Sequence, residues 1–177
     1  DFASFLTGAE IIRQGSGGSM YVMYTQRQVQ QSLVAPAIHR SFYPYILPPV
    51  TALMFLILTV PPYFVSYLMF FAVNLVLLVL ITKLTGKEFD GAWKYKYWYL
   101  LPLGFLPFAL VMVLGQITFV VLYIFLLIYK KLEAGSDFWA GILSSFISIK
   151  PQFLVFVPFA LLMANNRKQY LLGVGLG

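Results

Sequence analysis

Residues 41–82 read SFYPYILPPVTALMFLILTVPPYFVSYLMFFAVNLVLLVLIT, a run without one charged side chain. As continuous helix it would extend about 63 Å, roughly twice the 30 Å hydrocarbon thickness of a bilayer. Pro61-Pro62 is the expected break, because proline has no N–H to donate and its ring clashes with the preceding turn. The stretch predicts two membrane segments, a short one over 46–60 and a full-length one over 63–82. The short segment either crosses the membrane or re-enters it; counting residues leaves both open.

Working outward, the same theme returns twice. Residues 97–129 are again uncharged, about 50 Å as helix, and Gly115-Gln116 divides them into halves. Residues 138–166 carry one charge, Lys150, followed at once by Pro151. Short paired segments with polar or proline residues at the vertex suit proteins that hold a site at membrane depth. The composition agrees: 60% of the 177 residues are hydrophobic and only 10% are charged, against about 25% charged in soluble domains. An ordinary water-soluble fold and disorder are both excluded. The expected fold class is all-α, a multi-pass transmembrane helical bundle.

Residues 1–40 are the polar part, expected to form an extramembrane segment ahead of the transmembrane region 41–177. Phe2, Phe5, Leu6, Ala9 and Ile12 recur at helical spacing, with Asp1 where an N-cap would fall and Gly15 as the stop. After Ser16-Gly17-Gly18-Ser19, residues 21–34 show a weaker stripe of Val22, Thr25, Val29 and Leu33. The pattern predicts two amphipathic helices lying at a membrane surface. The chain starts with Asp, and a new apolar stretch is opening at its end; it reads as an internal fragment of a larger protein.

The net charge of +6 forms no stripe of the kind that binds nucleic acid. Lys83, Lys87, Lys94 and Lys96, then Lys130 and Lys131, then Arg167 and Lys168 sit between apolar runs, as charges that set membrane topology do. If those loops are cytoplasmic, Gln116 and Lys150 share the opposite side. No cysteine and a single His exclude disulfides, Cys-based zinc sites and His-pair metal motifs. No phosphate-cradling Gly-rich loop and no Asp-x-Asp is present, so neither ATP-driven transport nor metal-bound nucleotide-sugar chemistry is indicated. No cofactor is called for, and six scattered carboxylates do not decide whether a metal takes part.

Several residues invite chemistry, each with a plainer reading beside it. Lys150 inside an apolar run costs about 2.5–3.5 kcal/mol to insert and so marks a functional hypothesis; it could equally snorkel to an interface. Gln116 could bind a sugar hydroxyl or phosphate oxygen, or another helix. Gln152 could add a hydrogen bond beside Lys150. Arg13, Arg27, His39 and Arg40 could meet phosphate or lipid headgroups. Tyr43 and Tyr45 could stack on a sugar ring or simply sit at the interface. Glu10 lies three residues from Arg13, which predicts an ion pair. Asp1 is either a helix cap or a general base.

Asp1-Phe2 followed by Ala9, Gly15 and Tyr21, then Tyr43-Pro44-Tyr45-Ile46-Leu47-Pro48-Pro49, resembles the opening of the polyprenol-phosphate-dependent hexosyltransferases of glycosyltransferase family 87. Gly115-Gln116, and Ala140-Gly141 leading to Lys150, resemble that family's later segments in the same order. Thr118 departs from the pattern, which more often has Asn there. The resemblance implies a GT-C-like membrane enzyme of the plasma membrane with its site on the extracytoplasmic side. It implies inverting transfer of a hexose, mannose first among candidates, from a polyprenyl phosphate to a lipid or glycan acceptor. Asp1 would be the general base, with Lys150, Gln116 and Arg40 toward the donor phosphate and Tyr43, Tyr45 and Gln152 toward sugar or acceptor. A secondary transporter or flippase is the alternative, since broken helices and a lysine at depth suit both.

Overall fold

The computed structural model describes residues 1–35, 41–86 and 106–177, and these are helical, with no strand among them. They divide into two compact units, residues 1–73 with 114–116, and residues 74–113 with 117–177. Arg40 and His39, and the basic cluster Lys87, Lys94 and Lys96, lie outside the described residues.

The first unit is built on α1 (Phe2–Arg13), which the apolar periodicity and Gly15 delimit as expected; Gly15 closes it at φ 71°. The expectation of a surface helix does not hold for α1. Its residues from Phe2 to Ile11 are all buried, because the face opposite the apolar stripe carries Ile11 beside the small side chains of Ser4, Thr7 and Gly8. Ser4, Thr7 and Gly8 let the segment after α2 (Met23–Val34) lie directly on it. Ser4 Oγ donates to the Pro44 carbonyl at 3.0 Å, and a Cβ on Gly8 would come within 2.8 Å of the Tyr45 ring.

α2 is amphipathic, but its inner face is not the predicted apolar stripe. Gln26, Val29, Gln30 and Val34 are the buried residues. Each glutamine amide pairs with a backbone peptide on both its edges. Gln26 accepts from Tyr45 N at 2.7 Å and donates to Tyr45 O at 2.9 Å. Gln30 does the same to Tyr43, at 3.0 and 2.9 Å. Four residues of helix rise about 6 Å and two of extended chain about 6.7 Å, so an i, i+4 pair matches backbone groups two residues apart. The amides thus satisfy peptide groups that Pro44, lacking an N–H, could not help to pair.

Residues 46–60 resolve into a short α3 (Pro49–Met54) and a 3-10 turn over Leu56–Thr59. Six α-helical residues rise about 9 Å, so this segment does not cross a bilayer as one helix. After Pro61-Pro62, α4 (Tyr63–Gly86) runs for 24 residues, and its first part belongs to this unit. Phe2, 2% exposed, fills the core between them: its ring lies 6.1 Å from Phe55, 5.7 Å from both Tyr63 and Tyr67, and 5.6 Å from Phe70. Burying one such ring contributes about 1.5–3 kcal/mol.

In the second unit, α5 (Leu106–Leu114) and α6 (Thr118–Glu133) bend by 118° at the break, the hairpin expected at Gly115-Gln116. α7 (Asp137–Ser145) continues through a 3-10 turn to Ile149. A second 3-10 turn over Pro151–Phe156 leads into α8 (Val157–Met163), and α9 (Arg167–Leu176) closes the unit. α7 and α9 cross at Gly141 and Gly173, where a Cβ on either would overlap the other helix's backbone. Tyr170 OH donates to Ser144 Oγ at 2.7 Å across this crossing, and Asp137 Oδ2 accepts from Asn166 N at 2.5 Å. By length and composition, α4 alone among the described helices can cross a membrane, or two segments can if the bent α5–α6 pair counts as one. Asp137–Ile149 and Pro151–Met163 are apolar but only about 20 Å long each.

Candidate active site

The sequence left Asp1 between cap and base. In the structure its backbone carbonyl does the capping, accepting from Ser4 N at 2.9 Å and Phe5 N at 3.2 Å. Its side chain makes no cap bond; Oδ2 instead accepts a hydrogen bond from Gln116 Nε2, 115 positions along the chain. Two residues singled out for different roles therefore meet. Gly115 makes the meeting possible: it adopts φ 62°, and a Cβ there would fall 2.7 Å from the Phe2 Cβ. Only glycine tolerates both that conformation and that approach, and so the turn sets the next side chain, Gln116, against the carboxylate.

Glu10, the other acid of this segment, is occupied. Arg13 donates to both its oxygens at 2.7 Å, and Gln14 adds a bond at 2.8 Å. The Arg13 hydrogen bonds, reinforced by Gln14, hold the Glu10 carboxyl below its ordinary value, and the same pairing raises Arg13. A carboxylate so neutralised is a weak base. The ion pair read from the i, i+3 spacing is present.

Lys150 sits in the second unit, where the backbone breaks between the two 3-10 turns at φ −137°, ψ 82°. Its Nζ donates to Thr118 Oγ1 at 3.1 Å and lies 5.5 Å from the centroid of the Phe153 ring. Among the described residues no carboxylate pairs with it. An ammonium carries three donors, and a hydroxyl and an aromatic face hold it without cancelling its charge. Thr118 was visible in the sequence only as a departure at a position where an amide is commoner; it keeps a polar group there.

The remaining candidates part ways. Tyr43 is 42% exposed, with its backbone held by Gln30. Tyr45 is 1% exposed: its ring packs on Gly8 and its hydroxyl donates to the Pro48 carbonyl at 2.5 Å, so it has no free face for a sugar. Gln152 is exposed on its 3-10 turn. Among the described residues no group of three His, Asp or Glu side chains could hold a metal. One residue the sequence reading missed is Asn74 on α4, fully buried with neither amide atom hydrogen-bonded among the described residues. Its signal was an amide inside the long uncharged run.

With one helix long and apolar enough to cross a membrane, the chain falls by length and composition in the class of membrane-associated helical proteins. Within that class it is a member of glycosyltransferase family 87, whose family model matches residues 45–177 and so covers most of the chain. Asp1 and the first unit's α1 and α2 precede the matched range. No curated protein and no solved structure matches the chain.

Proposed function

We propose that this membrane glycosyltransferase is a multi-pass enzyme of the plasma membrane that transfers a hexose, mannose first among candidates, from a polyprenyl phosphate to a lipid or glycan acceptor on the extracytoplasmic side. The observation that carries the reading is the Asp1 carboxylate, turned away from its own helix and held by the Gln116 amide. Gln116 occupies one oxygen and fixes the carboxyl plane; Oδ1 is the atom that takes the proton of the acceptor hydroxyl. The acceptor hydroxyl oxygen, relieved of its proton, attacks the anomeric carbon as the bond to the phosphate oxygen breaks, which inverts the centre. The polyprenyl phosphate leaves with the electron pair. The Lys150 ammonium, with Gln152 beside it, is assigned to the phosphate, where charge accumulates in the transition state. Tyr43 is assigned to the sugar or acceptor, and Arg40 to the donor phosphate.

The test supplies the full-length protein in membranes with radiolabelled polyprenyl-phosphate-mannose and a lipid extract, and compares wild type with Asp1→Asn and Lys150→Ala at equal expression. General-base catalysis is worth about 10²–10⁴-fold, so label transfer should fall at least about 100-fold in Asp1→Asn. Transfer that survives Asp1→Asn keeps the enzyme and removes the base assignment. No transfer by any variant with any polyprenyl-phosphate sugar removes the donor, and uptake without transfer would favour a transporter.

A further inference from the structure

We infer that residues 46–60 form a membrane-immersed wedge, with α3 and its 3-10 turn lying in the acyl region of one leaflet without crossing it. The segment has two faces. Thr51, Ala52, Phe55 and Leu58 are buried, and Phe55 packs at 5.1 Å from the Phe5 ring of α1. The other face is as apolar but uncovered: Ile46 is 79% exposed, Val50 41%, Leu53 51%, Met54 45%, Ile57 74% and Val60 78%. A contiguous exposed face of six large apolar side chains marks an interaction surface.

Three features of the first unit point to lipid as the occupant. The ridge joins α4 through Pro61-Pro62 and continues into its outward residues Phe64, 67% exposed, and Leu68, 47% exposed, on the helix long enough to cross a bilayer. Tyrosine borders it: Tyr21, 54% exposed, donates from its hydroxyl to the Leu47 carbonyl at 2.9 Å, placing an amphipathic ring beside Ile46. Tyrosine is enriched where a protein passes from acyl chains to headgroups. Beyond its first turn, where Met23 and Tyr24 are exposed, the outer face of α2 is by contrast polar, with Arg27, Gln28, Gln31 and Ser32 exposed, so the unit has a polar side for water and an apolar one for lipid. The inner face of the wedge holds α1, so immersion fixes the depth of the Asp1 helix. The inference rests on the membrane reading of α4, and its test measures depth rather than transfer.

These 177 residues contain no cysteine, so with any cysteine elsewhere in the full-length protein replaced by serine, single-cysteine variants carry a label uniquely. Leu53→Cys, Ile57→Cys, Gln28→Cys and Val76→Cys are labelled with an environment-sensitive fluorophore in the full-length protein. The proteins are reconstituted into phosphatidylcholine vesicles with brominated acyl chains, with iodide as the aqueous quencher. Labels at Leu53 and Ile57 should lose fluorescence to brominated chains as Val76 does, while Gln28 responds to iodide alone. Iodide quenching at Leu53 and Ile57, with Val76 still quenched by lipid, overturns the wedge and leaves the α4 span standing. Protection from both quenchers overturns it in favour of a protein partner. Iodide quenching at Val76 overturns the membrane reading of α4 itself.

Discussion

Replacing Gln116 tests whether its amide is part of the catalytic apparatus or a packing contact. Gln116→Leu keeps the volume near constant and removes the donor that Asp1 Oδ2 accepts from. A hydrogen bond to a charged group is worth about 1.5–3 kcal/mol, and each 1.36 kcal/mol is tenfold in rate. If the bond is needed to orient the carboxylate in the transition state, kcat/KM falls about 10- to 150-fold. Gln116→Glu is the sharper variant because it is isosteric and reverses the contact. Two carboxyls at hydrogen-bond distance cannot both ionise freely, and one retains a proton to higher pH. The acid limb of the rate profile then moves upward, with activity low near neutrality and recovering as pH rises. The assay is label transfer from polyprenyl-phosphate-mannose across pH 5–9, with folding checked by size-exclusion elution in detergent. A Gln116→Glu enzyme with the wild-type profile and rate would refute the reasoning, since a base touching a second carboxylate cannot keep its titration.

Two further experiments probe the scaffold. Gly141→Ala drives a methyl into the Tyr170 carbonyl, with Val174 N at 2.9 Å behind it, so neither side can yield without moving backbone. Overpacking of this kind costs about 1–3 kcal/mol, and the thermal midpoint in detergent should fall, whereas Gly175→Ala on the facing helix α9, with nothing within 4 Å of the added methyl, should leave it unchanged or higher. Equal midpoints for the two variants would show that α7 and α9 do not cross at these glycines. Glu10 supplies a pH signature: its folded carboxyl titrates below the unfolded value of about 4.3, so its stabilisation is full above that pH and is lost as pH falls through the lowered folded value. Denaturation of wild type and Glu10→Gln should therefore differ near neutrality and converge in strong acid. A gap that widens on acidification would reverse the sign assigned to the pair.

Local signals were legible wherever one element writes its own pattern. Asp1 and Gly15 bracket α1, Gly115-Gln116 marks the bend, and Lys150-Pro151 marks the break, because caps, left-handed turns and missing N–H groups act within a few residues. What the sequence concealed were partners. Gln26 and Gln30 count as polar in any periodicity, yet they form the inner face of α2 because the peptides of Tyr43 and Tyr45 need them. The burial of α1 was equally hidden: small residues on its second face describe a surface or a close contact, and only the Tyr45 ring over Gly8 decides which. Uncharged length does not fix crossing length: among the described residues one or two segments can cross a membrane, and runs 46–60 and 138–166 fold into pieces of about 20 Å or less.

The partners also separate structural charges from chemical ones, which neither composition nor spacing could do. Glu10 is matched by a guanidinium on both oxygens; its charge is spent on closing the C-terminal end of α1. Asp1 is met by an amide and Lys150 by a hydroxyl and a ring, groups that orient a charge without neutralising it. A carboxylate and an ammonium held by neutral groups are what a proton acceptor and an anion contact each require, and in a largely apolar chain such charges are costly to retain. Neutral partnership at both residues among the described residues, beside full ion pairing at Glu10, is therefore the physical ground for proposing that Asp1 and Lys150 serve the reaction rather than the fold.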